Sequence, residues 1–344
     1  KKLRAGEFDE KMLQANINNF KLYELQSMES NEGRADIFVN SFINGTNWED
    51  EVTAIDRMAK LTKEDIVAFA DKYLKEDNYA VVYKKQGKDP NEKKMTKPEI
   101  TPIVSNRDVA SPFLTSIQEN AVKPIEPVFL DFKKDMSQLT AKSDIPVLYK
   151  QNTTNDLFQL IYVFDMGNNN DKALGTAFDY LEYLGTSDMT PEELKSEFYR
   201  LACTFYVSPG NERTYVVLSG LNENMPAAMQ LFEKLLADAQ VNKEAYNNLV
   251  GDILKARADA KLNQGQNFSR LMNYAMYGPK SPATNLLTEA ELASMNPQEL
   301  VDRIHNQNNY KHRILYYGPS SSKDLLATIE QYHQVPATLK DIPA

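Results

Sequence analysis

Apolar residues along the chain fall into blocks of period two and blocks of period near 3.6, and the blocks follow one another in a definite order. From residue 128 to 165 the runs are short and β-like. They are Val128-Phe129-Leu130-Asp131-Phe132, Pro146 to Lys150 and Leu157 to Phe164, closed by the turn sequence Gly167-Asn168-Asn169-Asn170-Asp171. A helix is predicted from Lys172 to about Leu184, stopping at Gly185-Thr186. Another opens at Thr190-Pro191-Glu192-Glu193, with Thr190 as cap, Pro191 at the first position, and Leu194, Phe198 and Leu201 on its buried face. Phe205 to Val207 and Thr214 to Ser219 read as a hairpin around Ser208-Pro209-Gly210-Asn211. Helices are then expected over Asn224 to Ala239, with Met229, Phe232, Leu235 and Leu236 as the apolar stripe, and over Asn242 to Lys261. A last β-run covers Arg313 to Tyr317. This order predicts an α+β fold, a mostly antiparallel sheet with helices layered on one face.

Part of the order occurs twice. Lys11, Asn16, Ile17, Leu22, Asn31 and Gly33 recur as Lys243, Asn248, Leu249, Leu254, Asn263 and Gly265, each displaced by 232 residues. Gly45 then meets Gly278, and Leu61 to Val67 meets Met295 to Val301, where Thr62 and Asn296 both read as helix N-caps. Asn78-Tyr79-Ala80-Val81-Val82-Tyr83 is a β-type run matching Asn309-Tyr310 and the strand beyond it. A period of this length is that of a repeated domain. The segment from 128 to 240 has no earlier counterpart, so the sequence is expected to enter partway through one unit and to contain a second in full. Residues 1–89 are then the closing half of a preceding homologous domain, and 128–336 are a complete domain. Between them 90–127, carrying Pro90, Pro98, Pro102, Pro112, Pro124 and Pro127, is an extended linker, and 337–344 lead toward a following domain.

Composition narrows the function classes. Eighteen Tyr and fifteen Phe supply bulk for sizeable cores. The longest apolar stretch, Leu160 to Phe164, is too short for a membrane-spanning segment, and a net charge of −9 argues against a nucleic-acid partner. The single cysteine, Cys203, sits in an apolar run and reads as a buried structural thiol. Of the three histidines, His305, His312 and His333, none has His-x-x-x-His spacing. Glu330 and His333 stand three apart on a predicted helix, and a solvated face is expected for them. The sequons at Asn44 and Asn152 read as chance occurrences. The sequence has no phosphate-binding Gly loop, no Gly-x-Ser-x-Gly elbow and no Cys–His arrangement. The opening Lys1-Lys2-Leu3-Arg4 carries no apolar leader, so the compartment is not readable from it.

The complete unit resembles the repeating domain of the pitrilysin/insulinase family of inverted zinc metallopeptidases. The resemblance rests on Ile145-Pro146-Val147-Leu148-Tyr149, the apolar strand ending Met166-Gly167, Leu184-Gly185-Thr186 and Thr190-Pro191-Glu192-Glu193-Leu194. In catalytic domains of that family a His-x-x-Glu-His on the helix before Gly-Thr binds zinc and supplies the general base. Counting back from Gly185-Thr186, the equivalent stretch is Thr176-Ala177-Phe178-Asp179-Tyr180. Both histidine positions are lost, to Thr176 and Tyr180, and only Asp179 keeps a carboxylate. The third ligand position, a Glu on a later helix, corresponds to Asp252. The resemblance therefore implies no catalytic residue, zinc ligand or cofactor in these residues.

What it implies instead is a non-catalytic portion of a multi-domain zinc metallopeptidase whose zinc lies in an upstream domain. Such a portion helps enclose a chamber, packs against the other domains of its chain and binds peptide or small protein substrates. Strand addition to a sheet edge is the expected mode of binding, with Leu157 to Phe164 as the candidate edge. Relatives of the long form suggest a periplasmic location. The alternative is a scaffold or assembly subunit related to the family but without peptidase action.

Overall fold

The computed structural model describes residues 1–87, 95–102, 105 and 109–343. Five helices open the chain: α1 (Glu10–Ser27), α2 (Asn31–Asn44), α3 (Trp48–Val52), α4 (Ala54–Met58) and α5 (Lys63–Tyr73). The proline-rich stretch holds one short helix, α6 (Pro112–Gln118), while its residues 90–94, 103–104 and 106–108 lie outside the described residues. Three strands follow, β1 (Ser137–Thr140), β2 (Pro146–Gln151) and β3 (Leu157–Phe164). Next come α7 (Leu174–Leu181), α8 (Pro191–Arg200), β4 (Cys203–Pro209) and β5 (Thr214–Leu221). The remainder is α9 (Met225–Asp238), α10 (Lys243–Lys261), α11 (Gln264–Tyr277), α12 (Glu289–Ser294), α13 (Pro297–Asn306), β6 (Arg313–Gly318) and α14 (Ser322–Tyr332).

The six strands form one sheet in the order β1-β2-β6-β3-β5-β4. Only β2 and β6 pair in parallel; every other neighbour is antiparallel. The parallel pair arises because β6 returns from the far end of the domain and slots between β2 and β3, with Tyr149 opposite Tyr316 and Ile161 opposite Leu315. Alternation then sends Val147, Leu160, Tyr162, Phe164, Val216, Leu218, Ile314 and Tyr316 into a core shared with α7, α9, α13 and α14. The α+β prediction, with a mostly antiparallel sheet, holds.

Three strand expectations fail. Val128 to Phe132 is not a strand. It runs unpaired, and Leu130 and Phe132 lie with Met136 across Leu148, Ile161 and Tyr317 on the other face of the sheet. The first strand is instead Ser137–Thr140, a polar segment that pairs because it leads directly into the turn before β2. Leu157–Phe164 is not an edge, because β6 and β5 flank it. Asn78 to Tyr83 forms no ladder; without neighbouring strands its backbone faces solvent, and Val82 is 92% exposed.

The internal repeat reappears element by element. α1 and α10 carry side-chain N-caps at Asp9 and Asn242, α2 and α11 at Ser30 and Asn263, and α5 and α13 at Thr62 and Asn296. α2 and α11 both end on a glycine of positive φ, Gly45 at 63° and Gly278 at 64°, a backbone region that side-chain-bearing residues rarely enter. α1 also meets the complete unit: Asn19 donates to the Tyr199 carbonyl at 2.7 Å, and Leu22 packs with Leu157, Ala202 and Leu221.

Candidate functional site

The stretch Thr176 to Tyr180, which the family resemblance sets against the zinc motif, lies on α7. Leu174, Ala177, Phe178 and Leu181 recur at helical spacing and seat it in the core. Gly185 then allows the chain to turn, because a Cβ there would meet the Met189 carbonyl at 2.3 Å. Thr176 is half-buried and Asp179 exposed, whereas Tyr180 is fully buried. The Tyr180 hydroxyl donates to the Asn242 carbonyl at 2.6 Å and accepts from the Asn242 N–H at 2.8 Å. Asn242 is itself the N-cap of α10, its side chain accepting from the Ala245 N–H. Burial pushes the Tyr180 phenol above its ordinary range, so it stays protonated as a hydrogen-bonding group.

The phenol therefore clamps α7 to the start of α10. Asp252 sits on the exposed surface of α10, ten residues beyond Asn242 and about 15 Å along the helix axis at helical rise. Asp179 reaches solvent, and desolvation by its surroundings together with the Glu182 charge raises its carboxyl. Of Thr176, Asp179, Tyr180 and Asp252 only Tyr180 is fully buried, and Asp179 and Asp252 are exposed. Among the described residues no group of three or more His, Cys, Asp or Glu is placed to hold a metal. A protonated phenol engaged by two backbone groups, a threonine and outward carboxylates do not fit a zinc ion, and no hydrolytic step can be built on them.

Beside α7 lies a cleft of about 450 Å³ between α1, α7, α8 and β4. Its walls are largely apolar, with Phe178, Leu181, Leu194, Phe198 and Phe205, and Glu182 and Lys195 also line it. α8 is set by a reciprocal cap in which Thr190 accepts from the Glu193 N–H and Glu193 accepts from the Thr190 N–H. One wall is the true edge of the sheet, since among the described residues no strand pairs with the outer side of β4. The Gly210 N–H bonds the Arg213 carbonyl and the Leu221 N–H bonds the Ala202 carbonyl. Antiparallel alternation between those two bonds turns the backbone groups of Cys203, Phe205 and Val207 outward. Cys203 is buried as expected, and desolvation pushes its thiol up to about 12.

A buried polar network lies deeper in the core and overturns the expectation of a solvated Glu330–His333 face. Glu330 is exposed, but His333 is fully buried, its Nδ1 2.6 Å from Glu233 Oε1 and its Nε2 2.9 Å from His312 Nε2. The sequence carries a signal for this. Glu233 falls four residues after Met229 on the buried stripe of α9, and His333 falls four after the buried Ile329. A charge on an apolar stripe requires a buried partner. Asn152, the other buried polar residue singled out, caps a turn with its Oδ1 and donates to the Leu157 carbonyl, and its side chain is closed off from a glycosylating enzyme.

With this geometry in place, the fold can be compared with known ones. No protein-family model and no curated protein matches the chain. Among solved structures, it is similar to a peptidase M16 inactive domain from Pseudomonas fluorescens, at 17% identity and TM-score 0.52, over 61% of this chain and 54% of that one. It is also similar to the periplasmic protease PqqL from Escherichia coli, at 12% identity and TM-score 0.53, over 97% of this chain and 41% of that one. A third is a mutant of the ferredoxin protease FusC in complex with Arabidopsis ferredoxin, at 11% identity and TM-score 0.51, over 99% of this chain and 42% of that one. The fold is that of a peptidase-like domain. More particularly, it is the fold of the M16 inactive domain, as the pitrilysin/insulinase resemblance implied. The chain spans about half or less of the length of these solved chains. No helix among the described residues is long and apolar enough to cross a membrane.

Proposed function

We propose that this chain is the non-catalytic portion of a multi-domain zinc metallopeptidase, and that it holds extended peptide or small protein substrates at the β4 edge while another domain cuts them. One observation carries the reading: Tyr180, in the stretch that the resemblance sets against the zinc motif, is tied up with Asn242, yet the neighbouring cleft keeps a strand edge that is unpaired among the described residues, with outward groups on Cys203, Phe205 and Val207. A strand edge recognises any extended backbone, and the apolar wall accepts bulky side chains, so affinity does not demand one sequence. The zinc and its His-x-x-Glu-His belong to an upstream domain of the parent protein.

In this reading residues 1–89 close a preceding homologous domain, 90–127 link it to the complete domain 128–336, and 337–344 lead onward. The paired caps of α1 and α10, α2 and α11, and α5 and α13 support that division. Together the domains enclose a chamber. The similarity to PqqL supports a periplasmic setting, and the complex of FusC with ferredoxin supports a protein substrate.

The test is peptide binding by the full chain, followed by fluorescence anisotropy with an extended, aromatic-containing peptide. Val207→Pro deletes one outward N–H while leaving the β4–β5 ladder intact, as proline at a strand edge allows. Loss of one such hydrogen bond is expected to weaken binding by roughly five- to tenfold. Saturable binding that is unchanged in Val207→Pro, or no binding at all, would remove β4 from the proposal and favour a scaffold role.

A further inference from the structure

Four side chains from four elements meet under the sheet: Tyr162 of β3, Glu233 of α9, His312 just before β6 and His333 at the end of α14. Glu233 Oε1 accepts from the Tyr162 hydroxyl at 2.8 Å and faces His333 Nδ1 at 2.6 Å. Its Oε2 accepts from Asn308 Nδ2 at 3.0 Å and from the Gln334 N–H at 3.1 Å. Phe164 packs on the His312 ring and Tyr162 on the His333 ring. Among the described residues no other charged side chain hydrogen-bonds to these four.

The donors and acceptors can be assigned by elimination. His312 Nδ1 lies 2.8 Å from the Tyr310 carbonyl. A carbonyl only accepts, so Nδ1 carries the hydrogen, and a neutral His312 presents a bare Nε2. The His333 Nε2 facing it at 2.9 Å must then be the donor. The 2.6 Å contact between His333 Nδ1 and Glu233 Oε1 then holds one further proton, shared between the two atoms.

We infer that this cluster is a buried proton-binding site that fastens β6 and α14 to α9, with one proton shared between His333 Nδ1 and Glu233 Oε1 and a second donated from His333 Nε2 to a neutral His312. Sliding the shared proton from Nδ1 to Oε1 leaves the proton count unchanged. One more proton, on His312 Nε2, sets N–H against N–H across the 2.9 Å gap. One fewer sets lone pair against lone pair. The joint therefore tolerates a single protonation state, and acid opens it.

The direction follows from linkage. Burial first, and the His333 charge second, hold the folded His312 imidazole down at about 4 against 6.5 when free. The unfolded chain binds the additional proton in that window. This contribution is complete above pH 6.5, declines as pH falls toward about 4, and multiplies the unfolding constant tenfold per pH unit.

Nitrogen-15 NMR of the imidazoles of the full chain between pH 6 and 8 tests the assignment. The expected result is His333 Nε2 protonated, His312 Nδ1 protonated and His312 Nε2 bare. A bare His333 Nε2 over that range overturns it. His312→Phe removes the acceptor, and its unfolding constant is expected to lose one power of ten per unit of acid dependence between pH 6.5 and about 4. An acid dependence equal to that of the wild-type chain would also overturn the inference, and if the variant does not fold, the wild-type spectrum decides alone.

Discussion

The segments 10–83 and 243–318 are built from matching elements, and they differ in what those elements touch. In the complete unit α13 buries Leu300, Val301 and Ile304, and β6 lies inside the sheet. In the earlier segment α5 buries only Ala70, and among the described residues no strand pairs with the run matching β6. The caps survive in both, because an N-cap is satisfied within its own turn. Burial survives in α1, where Leu22 packs with Leu157, Ala202 and Leu221, but not in α5, which among the described residues lacks the α7 and α9 partners that cover α13. Local sequence sets where a helix starts; the sheet decides whether its stripe becomes a core.

Paired substitutions sharpen the contrast. Leu300→Ala, at a fully buried position, is expected to cost about 2–5 kcal/mol in chemical denaturation. At the matching, half-buried Ile66, substitution by Ala should cost clearly less, and equal losses would break the comparison. Tyr180→Phe removes the α7–α10 clamp and leaves the Asn242 N–H without its partner, while the Asn242 carbonyl keeps the Tyr246 N–H, costing about 1–3 kcal/mol. If the clamp matters as described, hydrogen exchange quickens at the start of α10. Thr62→Ala and Thr190→Ala each break a reciprocal cap and should cost about 1 kcal/mol in either unit. That pair tests whether capping is indifferent to burial. The smallest expected effect is on Cys203, whose thiol should stay unreactive toward a disulfide reagent at pH 8 until the chain unfolds.

Elements whose signal lies in their own residues were legible in the sequence. Helices α7 to α10, the β4–β5 hairpin and the caps at Thr62, Thr190 and Asn296 belong to this group. What depends on a distant partner was not. Val128 to Phe132 is as apolar as β3, but no strand lies beside it, and apolar character alone does not make a ladder. The sequence points to β3 as the edge because strand order is invisible in one dimension; β6 and β5 cover β3 on its two sides, and β1 and β4 are the edges. Glu233 and His333 lie a hundred residues apart, and only the fold brings them to 2.6 Å.

The Tyr180–Asn242 clamp has a consequence for how the domain endures changes in its surroundings. A helix pair joined through a metal is only as firm as the supply of that metal, and a chelator loosens it. Here the joint between α7 and α10 is one phenol and the backbone N–H and carbonyl of one residue, all made by the ribosome. Its strength owes nothing to trace-metal scarcity, and the melting temperature of the chain should stand unmoved in excess EDTA.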